Sequence, residues 1–213
     1  ETLFAIATDP EATQSSVAIY YKHDVMPEVT EDDYRTNLVE AIYNGMLNQR
    51  LHELTKESDP PFLYGYSAKG RIVRSKEVYL LGTSVKDNGI ERGLEALMTE
   101  AARARQYGFT ATELERQKKE MLRFIEQAYK ERDKTESAGY TSEYSRNFLS
   151  GEPIPGIEYE YEMYTRYIPG ISLAEINRLA GTWISDHNRV ILVNAPEKPD
   201  VRVPDENDIL AVL

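Results

Sequence analysis

His23, His52 and His187 are the three histidines of the chain, and it has no cysteine. A zinc site built from protein groups needs three or four His, Cys or carboxylate ligands gathered by the fold. His52-Glu53 opens like H-E-x-x-H, but Lys56 stands where the second histidine should be, and a cation there opposes metal binding. The inverted form H-x-x-E-H fails at every histidine. His52 therefore reads as an ordinary helix residue, and His23 and His187 as residues at strand or loop edges. A serine nucleophile elbow, G-x-S-x-G, is absent. Gly65, Gly70, Gly82, Gly89 and Gly93 combine into neither a phosphate loop nor a dinucleotide fingerprint. The expectation is a chain with no catalytic residue, no metal ligand and no cofactor-binding residue of its own.

Tyrosine is the other residue type that stands out, with fifteen copies. Several cluster, at Tyr20/Tyr21, Tyr64/Tyr66, Tyr140/Tyr144 and Tyr159/Tyr161/Tyr164/Tyr167. A large apolar ring with a polar tip suits a packing seam between helices, and equally a surface that contacts peptides. The seam is the favoured reading, and the peptide surface stays open.

These groups must be held by regular elements. Leu3–Ala7 and Ser15–Tyr21 read as strands with a turn at Asp9-Pro10-Glu11, the second showing period-two alternation. Thr30 is a good N-cap, followed by Glu31, Asp32 and Asp33 where the helix dipole favours acids. That helix is predicted to run to about Glu57, with Leu38, Ile42, Met46, Leu47, Leu51 and Leu54 inward, until Asp59-Pro60-Pro61 stops it. Phe62–Ser67 and Glu77–Lys86 read as strands joined by a basic connection around Lys69-Gly70-Arg71. Leu94, Leu97, Met98, Ala101 and Ala102 mark a helix ending at Gly108. Thr110-x-x-Glu113 starts another, predicted to continue past Lys134 with a kink at Gly139, up to a hinge at Gly151, Pro153, Pro155 and Gly156. Helices over 157–168 and 172–185, the second opened by Ser172-x-x-Glu175, and a strand Arg189–Asn194 complete the series.

The order β-β-α-β-β-α-α-α-α-β, without repeated βαβ units, predicts an α+β fold: an antiparallel sheet covered by long helices. Residues 1–196 are expected to form one domain, and 197–213 an exit segment or linker. At 213 residues, 41% hydrophobic and 29% charged, the composition is that of a soluble globular protein with room for one sizeable core. A net charge of −11 argues against a nucleic-acid partner, and no apolar run reaches bilayer length. Without cysteine, disulfides are excluded and the compartment stays open. A start at Glu1, with no methionine or signal-like segment, suggests an excised or processed piece.

Four stretches in this order carry a family likeness: Tyr43–Leu54 (YNGMLNQRLHEL), Gly70–Lys86 (GRIVRSKEVYLLGTSVK), Glu91–Leu122 (ERGLEALMTEAARARQYGFTATELERQKKEML), and Glu131–Glu162, with ERDKTESAGY and GEPIPGIEYEYE. Over residues 1–196 the chain resembles the second, non-catalytic domain of a four-domain bacterial zinc protease of the pitrilysin/insulinase family. The resemblance implies a domain like those of mitochondrial processing peptidase, arranged with others as two halves around a closed chamber. It implies zinc in a separate catalytic domain, where a metal-activated water attacks the peptide carbonyl. In the family's last domain an arginine and a tyrosine reach the active site. Here Thr55 stands at the position matched to the arginine, and Tyr64 or Tyr66 at that of the tyrosine, so no catalytic residue is carried over.

The resemblance thus implies a structural, chamber-lining domain of a zinc metalloendopeptidase, inactive by itself and periplasmic or exported, with a cytoplasmic location as the other option. Its partners would be the other domains of the same polypeptide and a peptide or unfolded-protein substrate. The alternative is a stand-alone non-catalytic partner subunit of the same fold. The strand pair Phe62–Lys86 is expected to offer an edge to an extended peptide, and a proline at Thr83 is the perturbation that suggests itself.

Overall fold

The computed structural model describes all residues, Glu1–Leu213. Its strands are β1 (Thr2–Asp9), β2 (Ser15–Asp24), β3 (Tyr64–Val73), β4 (Lys76–Val85) and β5 (Arg189–Pro196). Its helices are α1 (Glu31–Leu54), α2 (Ile90–Tyr107), α3 (Ala111–Lys130), α4 (Ser137–Ser150), α5 (Ile157–Tyr167), α6 (Leu173–Trp183) and α7 (Glu206–Val212). The fold is α+β, as the element order predicts.

The strands form one sheet in the order β1-β5-β2-β4-β3. Four strands pair antiparallel, but β1 runs parallel to β5, so the sheet is mixed rather than purely antiparallel. The turn at Pro10 does not close a hairpin. β5, arriving from the far end of the chain, inserts between β1 and β2 and pairs with both. Period-two alternation identifies strands but not their neighbours, which is why this long-range insertion is invisible to local pattern.

One face of β2 buries Val17, Ile19 and Tyr21, opposite Thr83, Leu81 and Tyr79 of β4 and beside Val193 and Ile191 of β5. Onto this face pack Leu38, Ile42, Met46, Leu47 and Leu51 of α1, Leu94, Leu97 and Ala101 of α2, and Ile176, Ala180 and Trp183 of α6. At roughly 2 kcal/mol for each buried large aliphatic side chain, this cluster is the main driving force of the fold. Gly93 lets α2 settle on the sheet, since a Cβ there would lie 2.4 Å from Val85 Cγ1.

Three predicted helix starts carry reciprocal capping boxes, at Thr30/Asp33, Thr110/Glu113 and Ser172/Glu175, and Asp205/Asp208 adds a fourth. Other boundaries differ from the sequence reading. α1 ends at Leu54 rather than near Glu57. The residues read as a basic connection, Lys69-Gly70-Arg71, lie within β3, and the chain reverses at Arg74-Ser75 after a bulge between Arg71 and Val73. The β-branched Ile72 and Val73 extend the strand.

The long helix predicted to pass Lys134 is two helices. α3 ends at Lys130, where Arg132 turns back, donates to Tyr129 O at 2.7 Å and lies over the Tyr129 ring. This satisfies a carbonyl at the end of the helix. Gly139 is not a kink; it sits in the first turn of α4. In residues 197–213, read as an exit segment or linker, α7 places Ile209 fully buried in the core.

Candidate functional site

The structure leaves the three histidines apart. His23 is the last but one residue of β2, with Nε2 buried and without a hydrogen-bond partner, His52 is exposed on the last turn of α1, and His187 is exposed before β5. No three His, Asp or Glu side chains converge in a way that could hold a metal ion. The side chains present therefore do not fit a catalytic zinc, which needs three protein ligands and an open position.

What converges instead is a polar row that motif reading missed. Glu40, Asn44 and Asn48 recur every fourth residue along α1 and face β3 and β4. Lys69 Nζ donates to Glu40 Oε2 at 2.9 Å and to Glu77 Oε2 at 3.1 Å, with the lysine side chain only 9% exposed. Burial alone would lower the Lys69 ammonium, but the two carboxylates more than offset it and hold it above the ordinary lysine value. Burial lifts Glu40 above the ordinary carboxylate range, outweighing the pull of Lys69, with Glu77 adding to the rise. Ser67 Oγ bridges Asn44 Oδ1 and Tyr79 Oη, and Tyr43, Tyr79 and Trp183 pack ring against ring beneath it. The signal for this row was the four-residue spacing of polar residues beside the apolar stripe of α1.

The row also decides what the edge of the sheet offers. Of the pair β3 and β4, only β3 lies at an edge. Thr83, the position suggested for a proline, sits on β4 between Val17 of β2 and Gly65 of β3, so proline there breaks the sheet rather than probes its edge. At the middle of β3, Ser67 N donates to Asn48 Oδ1 at 2.6 Å while Asn48 Nδ2 donates to Ser67 O at 2.9 Å. The carboxamide makes the paired bonds that another strand would make. An incoming peptide must displace Asn48 to pair along the full length of β3.

Of the clustered tyrosines, those on α4 and α5 divide into two groups. Tyr129 and Tyr161 stack between α3 and α5 at 4.7 Å, and Tyr34 of α1 meets Tyr164 of α5 edge-on. The hydroxyls of Tyr159 and Tyr167 donate to Glu31 at the start of α1, where Arg166 also reaches it at 3.0 Å. This group is the packing seam between helices. Tyr140 and Tyr144 on α4 are exposed instead.

With this geometry in hand, similarity to known proteins assigns the family. No protein-family model matches the chain. It is 33% identical over 178 residues to "Zinc protease PQQL-like" of Arabidopsis thaliana, a match covering 84% of this chain and 16% of that protein. It is 24% identical over 184 residues to "Probable zinc protease PqqL" of Escherichia coli, covering 84% of this chain and 19% of that one. The chain belongs to the M16 family, the pitrilysin/insulinase-like zinc proteases. It thus spans less than a fifth of the length of either relative.

Solved M16 structures show the same fold. The first half of the periplasmic protease PqqL from Escherichia coli superposes with a TM-score of 0.88 at 19% identity, covering 99% of this chain and 46% of that one. A peptidase M16 inactive domain from Pseudomonas fluorescens gives 0.62 at 14% identity, covering 96% and 45%. The chain therefore corresponds in fold to part of one half of the larger PqqL protein. Within this M16 domain, Thr55, the residue at the position matched to the family's arginine, caps α1 by donating its hydroxyl to His52 O at 2.8 Å. Tyr64 stacks on Tyr66 with ring centroids 5.7 Å apart. No helix is long and apolar enough to cross a membrane.

Proposed function

We propose that this M16 domain is a non-catalytic, structural and chamber-lining part of a zinc metalloendopeptidase whose zinc is held by another domain. The observation that carries the reading is a peptidase-family fold in which the position facing β3 from α1 is taken by a buried Glu40–Lys69–Glu77 bridge and no metal-ligand set forms. A lysine ammonium tied to two carboxylates leaves neither acid free as a general base. The domain contributes rigid walls and part of the peptide-contacting surface, while hydrolysis of peptides or proteins belongs to the intact protein. The bacterial structural neighbour is a periplasmic protease, which supports a periplasmic or exported location for this protein.

The test measures zinc content and peptidase turnover for this chain alone and for the intact polypeptide. The chain alone is expected to hold no stoichiometric zinc and to turn over no peptide, whereas the intact polypeptide does both. One equivalent of zinc with turnover in the isolated chain would sink the proposal. An intact protein no longer than this chain would replace it with a separately encoded partner subunit.

A further inference from the structure

Between the first turns of α1, the α4–α5 connection and α5 lies a cleft of about 400 Å³. Its walls include Tyr34, Pro153, Pro155, Tyr159 and Met163, and Glu160 opens into it. The two prolines are held in place by a chain that turns at Gly151 and Gly156, whose φ values of +72° and +79° favour glycine. Two glycine turns thus set the path of the proline-bearing wall of the cleft.

The acids around it are not equivalent. Glu31 accepts from Arg166, Tyr159 and Tyr167, Glu152 pairs with Arg146 at 2.9 Å, and Glu28 accepts from Asn37 at 3.1 Å. Glu160 is partly buried and stands apart. Burial first, then the charges of Glu143 and Glu152, lift its carboxyl above the ordinary range, and no donor or cation pulls it back. A carboxylate taken partly out of water without a counter-charge is costly to the fold, and a cation entering the cleft removes that cost. Aromatic faces and proline rings beside it suit the aliphatic stem of a long basic side chain.

We propose that this cleft binds a lysine or arginine side chain of a peptide, with the cation on Glu160 and the stem along Tyr34, Pro153, Pro155 and Met163. The inference gives the peptide contact proposed above a location and a side-chain preference. It rests on that reading only in calling the peptide a substrate.

Binding is measured by NMR titration of the protein with acetyl-Ala-Lys-Ala-amide and with its norleucine counterpart, which keeps the stem and lacks the charge. The lysine peptide is expected to shift the resonances of Tyr34, Tyr159 and Met163, with the norleucine peptide binding more weakly. Glu160→Gln is expected to weaken lysine binding roughly 2- to 5-fold, the range of a partly exposed ion pair. Glu95→Gln removes the same charge from an exposed position on α2 and is expected to leave binding unchanged. Thermal melts confirm that both variants fold.

Equal affinity for the two peptides, or unchanged lysine binding in Glu160→Gln, would overturn the proposal. An equal loss in Glu95→Gln would also overturn it, by reducing the effect to general attraction toward a protein of net charge −11. No turnover is read, so failure here leaves the chamber-domain reading standing, and failure of that reading leaves the binding result intact.

Discussion

The sheet with its covering helices and the segment from Glu131 to Gly156 obey different physics within one chain. In the first, side chains such as Ile19, Leu47, Leu81 and Leu97 are wholly removed from water. In the second, α4 buries no residue, and Tyr144, Phe148 and Leu149 lie open to solvent. Mostly local contacts shape α4: the left-handed Gly151 ends it, Arg146 and Asn147 fold back onto Glu152, and from outside the segment Arg71 of β3 donates to Ser150 O at 3.0 Å. A helix of 14 residues held by such contacts is marginal in isolation, because nucleation is costly and no packed face repays it. The contrast separates a region stabilised by a packed core from one held mainly by local contacts.

The sharpest way to break that contrast is a pair of truncations. Leu81→Ala opens a cavity in the fully buried face of β4 and is expected to cost roughly 2–5 kcal/mol in urea unfolding. Phe148→Ala, at a side chain 87% exposed, is expected to stay within about 0.5 kcal/mol of the parent. A loss above about 2 kcal/mol at Phe148 would mean that α4 is part of the cooperative core.

The same contrast explains what was legible in the residues. Thr30, Thr110 and Ser172 announced their helices because a capping box is a local arrangement of two side chains and two amides. The apolar row of α1 was equally clear, since burial repeats with the helix. The break after Lys130 was hidden: helical periodicity continues across it, and the deciding bonds come from the return of Arg132 onto Tyr129. The insertion of β5 between β1 and β2 was hidden for a different reason, because pairing across nearly the whole chain leaves no local trace. At the candidate site, the partners of Glu40 and Asn48, and the isolation of Glu160, depend on tertiary placement, so no local pattern announces them.

Asn48 tests the boundary between the packed body and its surface. Its carboxamide closes the backbone of Ser67 at the edge of the sheet. Asn48→Ala leaves a partly buried amide and carbonyl without protein partners and is expected to cost roughly 1–3 kcal/mol. It also exposes a strand edge, so the variant is expected to self-associate at concentrations where the parent stays monomeric, as read by light scattering. If stability and association state are both unchanged, water serves the edge as well as Asn48 does, and β3 is open to peptides.

The smallest effect concerns how the layers are pinned. Glu113 accepts from Arg50 at 2.6 Å and 3.0 Å and from Thr110 N at 2.7 Å, joining α1 to the start of α3. Burial alone would raise its carboxyl, but the bonds from Arg50 and Thr110 dominate and hold it at about 2. A folded-state value below the unfolded one of 4.5 means that the contribution is complete above pH 4.5 and is lost as pH falls through about 2. Solvent screening at this partly exposed site limits the contribution to about 1–2 kcal/mol. Glu113→Gln keeps the shape and removes the charge, so its deficit against the parent is expected to be fullest at pH 7 and to shrink toward zero near pH 2. A deficit that is the same at both pH values would show that shape alone, and not the ion pair, holds α1 against α3.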